Sequence, residues 1–319
     1  MTAINRVRRV IVSPTVIALL LSVVLFLIGG VIQPDFLNAA QALNIVRLAA
    51  FLGIIAAGQT LVIISGGEGI DLSAGAVVTL GAILTFMIGA GQDSNIPLAL
   101  AAVLGAGLLV GVVNGLGIIF LRIPPLVMTL GMTGVIQGTI LAMTQGAIPG
   151  RTPPGLAGFI NGRFLGLPGV IYLWLALGII MWLLLERTPY GKQLFAVGVN
   201  RRTARLSGVN VPLVVIATYA LSGMLAAFGG FVLLGFTQRV FLDLGGSYLF
   251  PSIAAVVVGG TVLAGGRGSY TGTMAGALVL TMVESLLRAM RLHEAYQMIT
   301  FGVILVLLLS IYGRQRRNQ

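Results

Sequence analysis

Cysteine is absent from this 319-residue chain, histidine occurs once, and charged residues make up 8% against 57% hydrophobic residues. The missing cysteines exclude a disulfide framework, a thiolate metal site and a cysteine nucleophile. The single His293 stands beside Glu294 with no second histidine or carboxylate pair to share a metal, so no metal is expected. No Gly-x4-Gly-Lys-Ser/Thr run exists, since Gly191-Lys192 is followed by Gln193, and this excludes nucleotide hydrolysis through a phosphate-binding loop. Nucleophile elbows and His-Glu-x-x-His helices are missing too, so enzymatic chemistry has no visible residues to stand on. The scarcity of charge excludes a water-facing surface, because soluble domains carry about 25% charged residues. The apolar surface must therefore face lipid, and the expected fold is all-α, a polytopic membrane helical bundle. Its 45 glycines suit close approach of helices.

A net charge of +11 would suit nucleic acid if the basic residues formed one face. They lie instead in short gaps between apolar runs, where they orient a membrane protein, so no nucleic-acid partner is expected. The runs fall near residues 14–32, 40–64, 70–90, 97–119, 124–145, 168–185, 211–235, 250–264, 271–287 and 295–312, which makes about ten spans of the length a bilayer requires. Ala40-Gln41-Ala42 imitates a signal-peptidase site, but the first run is too long for a signal-peptide core and reads as an anchoring helix. Placing the N-terminus inside puts Arg6, Arg8, Arg9, Arg122, Arg187, Lys192, Arg201, Arg202, Arg205, Arg267, Arg314, Arg316 and Arg317 in cytoplasmic gaps. The outer gaps then hold only Arg151, Arg163, Arg239, Arg288 and Arg291, a bias that predicts N-in, C-in topology.

Several segments depart from plain apolar helix. Gly66-Gly67-Glu68-Gly69 and Gly265-Gly266-Arg267-Gly268 interrupt apolar sequence before a small-residue helix. They read either as two glycine-rich turns or as the broken helices of an internally duplicated transporter. Gly107, Gly111 and Gly115 share one helix face suited to close packing, with Asn114 beside it needing a partner in another helix or a wet pathway. Thr129, Thr133 and Gln137 form a polar stripe that either lines a pathway or binds a neighbouring helix.

The charges in or near spans are Arg47, Asp71, Glu284 and Arg288. Glu284 and Arg288 can pair at i, i+4, and Asp71 ahead of Leu-Ser-Ala-Gly resembles an N-cap. An ion-coupled secondary transporter would need Asp71 or Glu284 as its relay. For an uncharged polyhydroxylated solute the pathway candidates are Gln59, Thr79, Asn114, Thr129, Thr133 and Gln137.

The longest basic gap runs from Glu186 to Asn210 and reads as a solvated loop containing a short helix. Its sequence resembles the signature of the membrane permease subunits of ribose-type ABC sugar importers. Three other stretches fit the same family in order: Gly69-Ile-Asp-Leu-Ser-Ala-Gly75, Gly115 through Gly131 with its Arg122-Ile-Pro-Pro125 corner, and Val258 through Ser269. The resemblance marks Gly69, Asp71, Ser73, Gly265, Gly266, Arg267 and Gly268 as motif-loop residues.

The resemblance implies one permease domain over 1–319 in a prokaryotic cytoplasmic (inner) membrane. It implies a pore of two permease subunits, identical or related, and two cytoplasmic ATPase subunits that carry ATP-Mg, with no cofactor in this chain. An extracytoplasmic sugar-binding protein would deliver the solute. The 186–210 segment would be the coupling loop, carried by Gly191, Thr203, Ala204, Arg205, Ser207 and Gly208. A neutral monosaccharide such as ribose is the implied cargo, and permeases for other small solutes, a furanone signal or a nucleoside, share the pattern.

Overall fold

The computed structural model describes residues 13–291 and, beyond them, residues 295–296, 299–300, 302–303 and 306. The basic N- and C-terminal clusters, His293 and most of the expected tenth span lie outside the described residues. Helix α1 (Pro14–Ile32) starts where the Ser13 hydroxyl accepts from the Val16 N–H. Helix α2 (Ala39–Ile64) is capped in the same way by Asn38, which accepts from the Gln41 N–H at 2.7 Å. There follow α3 (Ala74–Gly89), α4 (Ile96–Phe120), α5 (Pro125–Thr144) and the short α6 (Pro154–Asn161). A two-residue hairpin, β1 (Arg163–Phe164) with β2 (Leu167–Pro168), turns on Leu165 and Gly166, both at positive φ as a tight hairpin requires. Then come α7 (Gly169–Arg187), α8 (Pro189–Val199), α9 (Arg201–Leu206), α10 (Val211–Thr237), α11 (Gly246–Val258) and α12 (Tyr270–Ala289).

Among the described residues seven helices, α1, α2, α4, α5, α7, α10 and α12, are long and apolar enough to cross a membrane. The chain is thus an all-α membrane bundle. Helices α3 and α11, with 16 and 13 residues, rise only about 24 and 20 Å, short of the ~30 Å of a bilayer core. The run expected as a span over 250–264 is corrected here: α11 begins at Gly246 and ends at Val258. Gly260, Gly265 and Gly266 take φ of +91°, +91° and +72°, a left-handed backbone that no helix continues through.

The two short helices begin inside the bundle, where their N-termini meet. The Gly245 N–H donates to Thr79 Oγ1 at 2.9 Å, and a Cβ on Gly75 would stand 3.1 Å from the Gly245 carbonyl oxygen. Non-helical backbone at this depth is tolerated only under protein cover, and Ser65, Gly69, Asp71 and Ser73 before α3 are buried.

Helix α2 is the central post, buried continuously from Ala49 to Ile64. Helix α10 packs against α2, α3 and α4. The glycine face read from the sequence makes the α4 contact: a Cβ on Gly111 would strike the Tyr219 carbonyl, and one on Gly107 the Gly223 carbonyl. Helices α1, α4 and α5 turn most of their apolar side chains outward, as lipid-facing helices do.

Candidate functional site

At one end of the bundle, three backbone segments converge without side chains between them. The Gly266 N–H donates to the Ile64 carbonyl at 2.9 Å. Gly198, near the end of α8, faces that same carbonyl, and a Cβ there would overlap it. A Cβ on Gly66 would lie 2.7 Å from the Gly198 carbonyl oxygen and 3.0 Å from that of Ala264. The two glycine-rich stretches are therefore turns, as one reading held, and they touch each other. Arg201 pins the joint from outside, its Nη2 donating to the Gly66 carbonyl at 3.3 Å while its guanidinium covers Gly67.

This end carries the basic gap. Thr188 caps α8 by accepting from the Gly191 N–H at 3.2 Å, and Asn200 caps α9 by accepting from the Arg202 and Thr203 N–H groups at 2.9 and 3.0 Å. Tyr190 ties α8 to α10 by a 2.9 Å bond with the Thr218 hydroxyl, and burial pushes its phenol up to about 12. Of the six residues expected to carry coupling, Thr203, Arg205, Ser207 and Gly208 are exposed, whereas Gly191 and Ala204 are buried. Gly191 abuts the Leu184 and Leu185 carbonyls, so it fits α8 to α7. Sequence reasoning passed over the most exposed apolar groups here, Leu206 at 82% and Val199 at 73%. Apolar residues in a basic, water-facing loop are the signal that could have found them.

Inside the bundle four of the six pathway candidates, Gln59, Asn114, Thr129 and Thr133, converge with Asp71 on residues 70–73, whereas Thr79 bonds Gly75 and Gly245 instead. Gln59 grips the Asp71 backbone from both sides, Nε2 donating to its carbonyl at 2.5 Å and Oε1 accepting from its N–H at 3.2 Å. Asp71 Oδ1 accepts from the Ser73 N–H at 3.0 Å and the Ser73 hydroxyl at 2.5 Å, and Oδ2 accepts from Ser222 on α10 at 2.9 Å. Asn114 Nδ2 on α4 donates to Ser73 Oγ at 3.0 Å. Asp71 is thus not the N-cap expected of it. Ser73 holds that position, already in helical φ/ψ with no side-chain cap bond, while Asp71 closes an Asx turn two residues earlier.

Leu72 is held from α5: its N–H donates to Thr129 Oγ1 at 3.0 Å, and its carbonyl accepts from Thr133 Oγ1 at 3.1 Å. Gln59, Thr79, Asn114 and Thr129 are wholly buried, and Thr133 is half-buried. Gln137, one turn further along the same stripe, is exposed. It shares the open side of α5 with Gly131, Gly134 and Gly138, where an added Cβ would meet nothing within 4 Å.

At the opposite end Arg47 donates to Asn161, whose Nδ2 donates to the Gly235 carbonyl at 2.9 Å, and the Arg47 guanidinium lies 4.6 Å from the Phe236 ring centre. Glu284 and Arg288 form the expected i, i+4 pair. Among the described residues no group of three His, Asp or Glu side chains could hold a metal ion.

The family profile described as "Branched-chain amino acid transport system / permease component" matches residues 41–309, which takes in the joint, the buried network and α5. The chain belongs to this permease family. The permease is 36% identical to the ribose import permease protein of Bacillus subtilis over 89% of its own length and 88% of that relative's. It is 32% identical to the ribose import permease protein of Escherichia coli K12 over 94% of each chain. The autoinducer 2 import system permease protein of Salmonella paratyphi B is 32% identical over 94% of the permease and 86% of the relative. No solved structure matches the chain. The permease is a multi-pass membrane protein and a transport subunit rather than an enzyme.

Proposed function

We propose that the permease is the transmembrane pore subunit of an ATP-driven importer for a neutral monosaccharide such as ribose, in the cytoplasmic membrane of a prokaryote. The observation that carries this reading is the basic end: two short capped helices expose Val199 and Leu206 beside Arg202, Thr203 and Arg205, and their backs rest on the bundle's own backbone joint. Exposed apolar side chains beside exposed cations suit a docking surface for a water-soluble protein. We assign it to the ATPase subunits that hold ATP-Mg, with residues 186–210 as the coupling segment. Gly191 and Ala204 support that segment from within.

We place both termini inside from the distribution of arginines. The end bearing Arg47, Asn161 and the hairpin then faces outward, toward a solute-binding protein. The open side of α5, with Gln137 and three uncovered glycines, is assigned to the pathway against a second permease subunit. Gln59, Thr79, Asn114 and Thr129 frame it from behind.

Ion coupling finds less support, because the Asp71 carboxylate is committed to Ser73 and Ser222, and Glu284 is paired with Arg288. Import of a furanone signal is the second reading, favoured by the autoinducer 2 relative's equal coverage of the chain. The test is reconstitution in proteoliposomes with a partner ATPase and a solute-binding protein. ATP-dependent ribose uptake that a furanone fails to compete with supports the first reading. Uptake of the furanone alone replaces the cargo, and uptake without ATPase, driven by an ion gradient, overturns the assignment.

A further inference from the structure

The joint and the buried network are two ends of one short stretch of chain. Residue 66 sits in the joint, and Asp71, Leu72 and Ser73 sit in the network. Ser222, which bonds Asp71, is eleven residues into α10 from Val211, so the network lies roughly 17 Å inside that end of the helix. Five residues of non-helical backbone therefore join the coupling helices to the interior.

That stretch has little freedom to absorb movement. Gly66, Gly67 and Glu68 hold consecutive left-handed φ of +66°, +64° and +60°, and the Gly69 N–H closes back on the Gly66 carbonyl at 3.2 Å. Below, Gly66 is wedged between Gly198 and Gly265, and Arg201 donates to its carbonyl. Above, Gln59 fixes both backbone groups of Asp71, and Thr129 and Thr133 fix both backbone groups of Leu72. Among the described residues, the side-chain hydrogen bonds that α5 makes to other elements are those of Thr129 and Thr133 to residues 70 and 72. A displacement of α8 and α9 that moves residue 66 reaches α5 through them.

We propose that residues 65–73 are the transmission segment between the coupling helices and α5, with Arg201 as the positioning residue at its lower end and Thr133 at its upper end. The inference rests on the docking role given to α8 and α9 above. Arg201 acts through the Gly66 carbonyl and touches no solute, so its signature is the yield of transport per ATP rather than assembly.

The experiment uses the complete transporter in proteoliposomes and measures solute moved per ATP hydrolysed for Arg201→Met, Thr133→Val and the double variant. Arg201→Met keeps apolar cover on Gly67 and removes the donor. Each single variant should lower the yield about threefold to tenfold, and the double should fall no further than the worse single, as residues in one network behave. Arg201→Lys, which keeps a donor, should recover part of the loss, and Arg201→Leu takes the place of Arg201→Met if the latter does not reach the membrane. Losses that multiply in the double variant, or an unchanged yield in Arg201→Met, overturn the proposal. Release of the ATPase subunits by Arg201→Met overturns it as well, since the residue would then serve docking. Failure of the underlying reading has a different signature, a wild-type permease that binds no ATPase, and the proposal falls with it.

Discussion

Gly198 faces the Ile64 carbonyl oxygen with no room for a methyl group between them, while the same oxygen accepts the Gly266 N–H at 2.9 Å. One carbonyl thus fixes the end of α8 and the loop after α11 to the end of α2. Backbone meeting backbone leaves no side chain to yield.

Gly198→Ala is therefore expected to be disruptive although alanine suits helices. Forcing a methyl into a closed contact costs about 1–3 kcal/mol, and part of that cost moves α8 outward. The measurement is ATPase activity of the assembled transporter with and without binding protein. Stimulation equal to wild type would show that the contact has no part in coupling.

The two glycine faces should respond in opposite ways. Gly111→Leu drives a side chain into the Tyr219 carbonyl on α10, so folded protein and detergent melting temperature should fall steeply. Gly134→Leu enters open space on α5 and should leave the melting temperature of the isolated permease unchanged while reducing uptake in the complete transporter. Equal melting temperatures for the two variants would refute the packing assignment.

Asp71→Leu removes the acceptor for the Ser73 N–H and for two hydroxyls inside the bundle. Each buried group left unsatisfied costs about 1–3 kcal/mol. The variant should be recovered at a small fraction of wild-type yield, with Asp71→Asn between the two because its carbonyl oxygen still accepts. Wild-type thermal stability of Asp71→Leu would mean that the carboxylate is not the hub described.

Topology is open to a direct measurement in this cysteine-free chain. Leu165 at the hairpin tip is 98% exposed, and Arg202 lies at the basic end. With an impermeant thiol reagent on intact cells, Leu165→Cys should be labelled and Arg202→Cys protected. The reverse pattern would invert the assignment of sides.

Gln137→Leu tests the pathway. The side chain is exposed and makes no hydrogen bond among the described residues, so the variant should insert and assemble normally while uptake of a neutral pentose falls. Unchanged turnover would remove Gln137 from the route.

Most helices were legible from hydropathy because lipid imposes it along the whole length of a span: α4, α5 and α7 lie within two residues of the runs read from the sequence. The run at 250–264 misled because Thr261-Val-Leu-Ala264 is as apolar as a helix, yet it is bent back by Gly260 and Gly265, whose left-handed φ hydropathy does not register. The role of Asp71 was hidden for another reason. Its flank looks like a helix start, but Ser222 is 151 residues away, and the Asn114 that reaches it through Ser73 comes from another helix. Likewise, both glycine turns were visible singly, and their mutual contact is a property of the packed chain.

The joint at Gly66, Gly198, Gly265 and Gly266 also bears on exchanging parts between permeases. Because the seam is written in main chain, a transplanted 186–210 segment has to keep Gly198 at the seam and Tyr190, Gly191, Arg201 and Ala204 on its inner side, and its exposed positions can bring a foreign surface. Retargeting this permease to a different motor subunit then becomes a graft of one loop, with the helical body left as it stands.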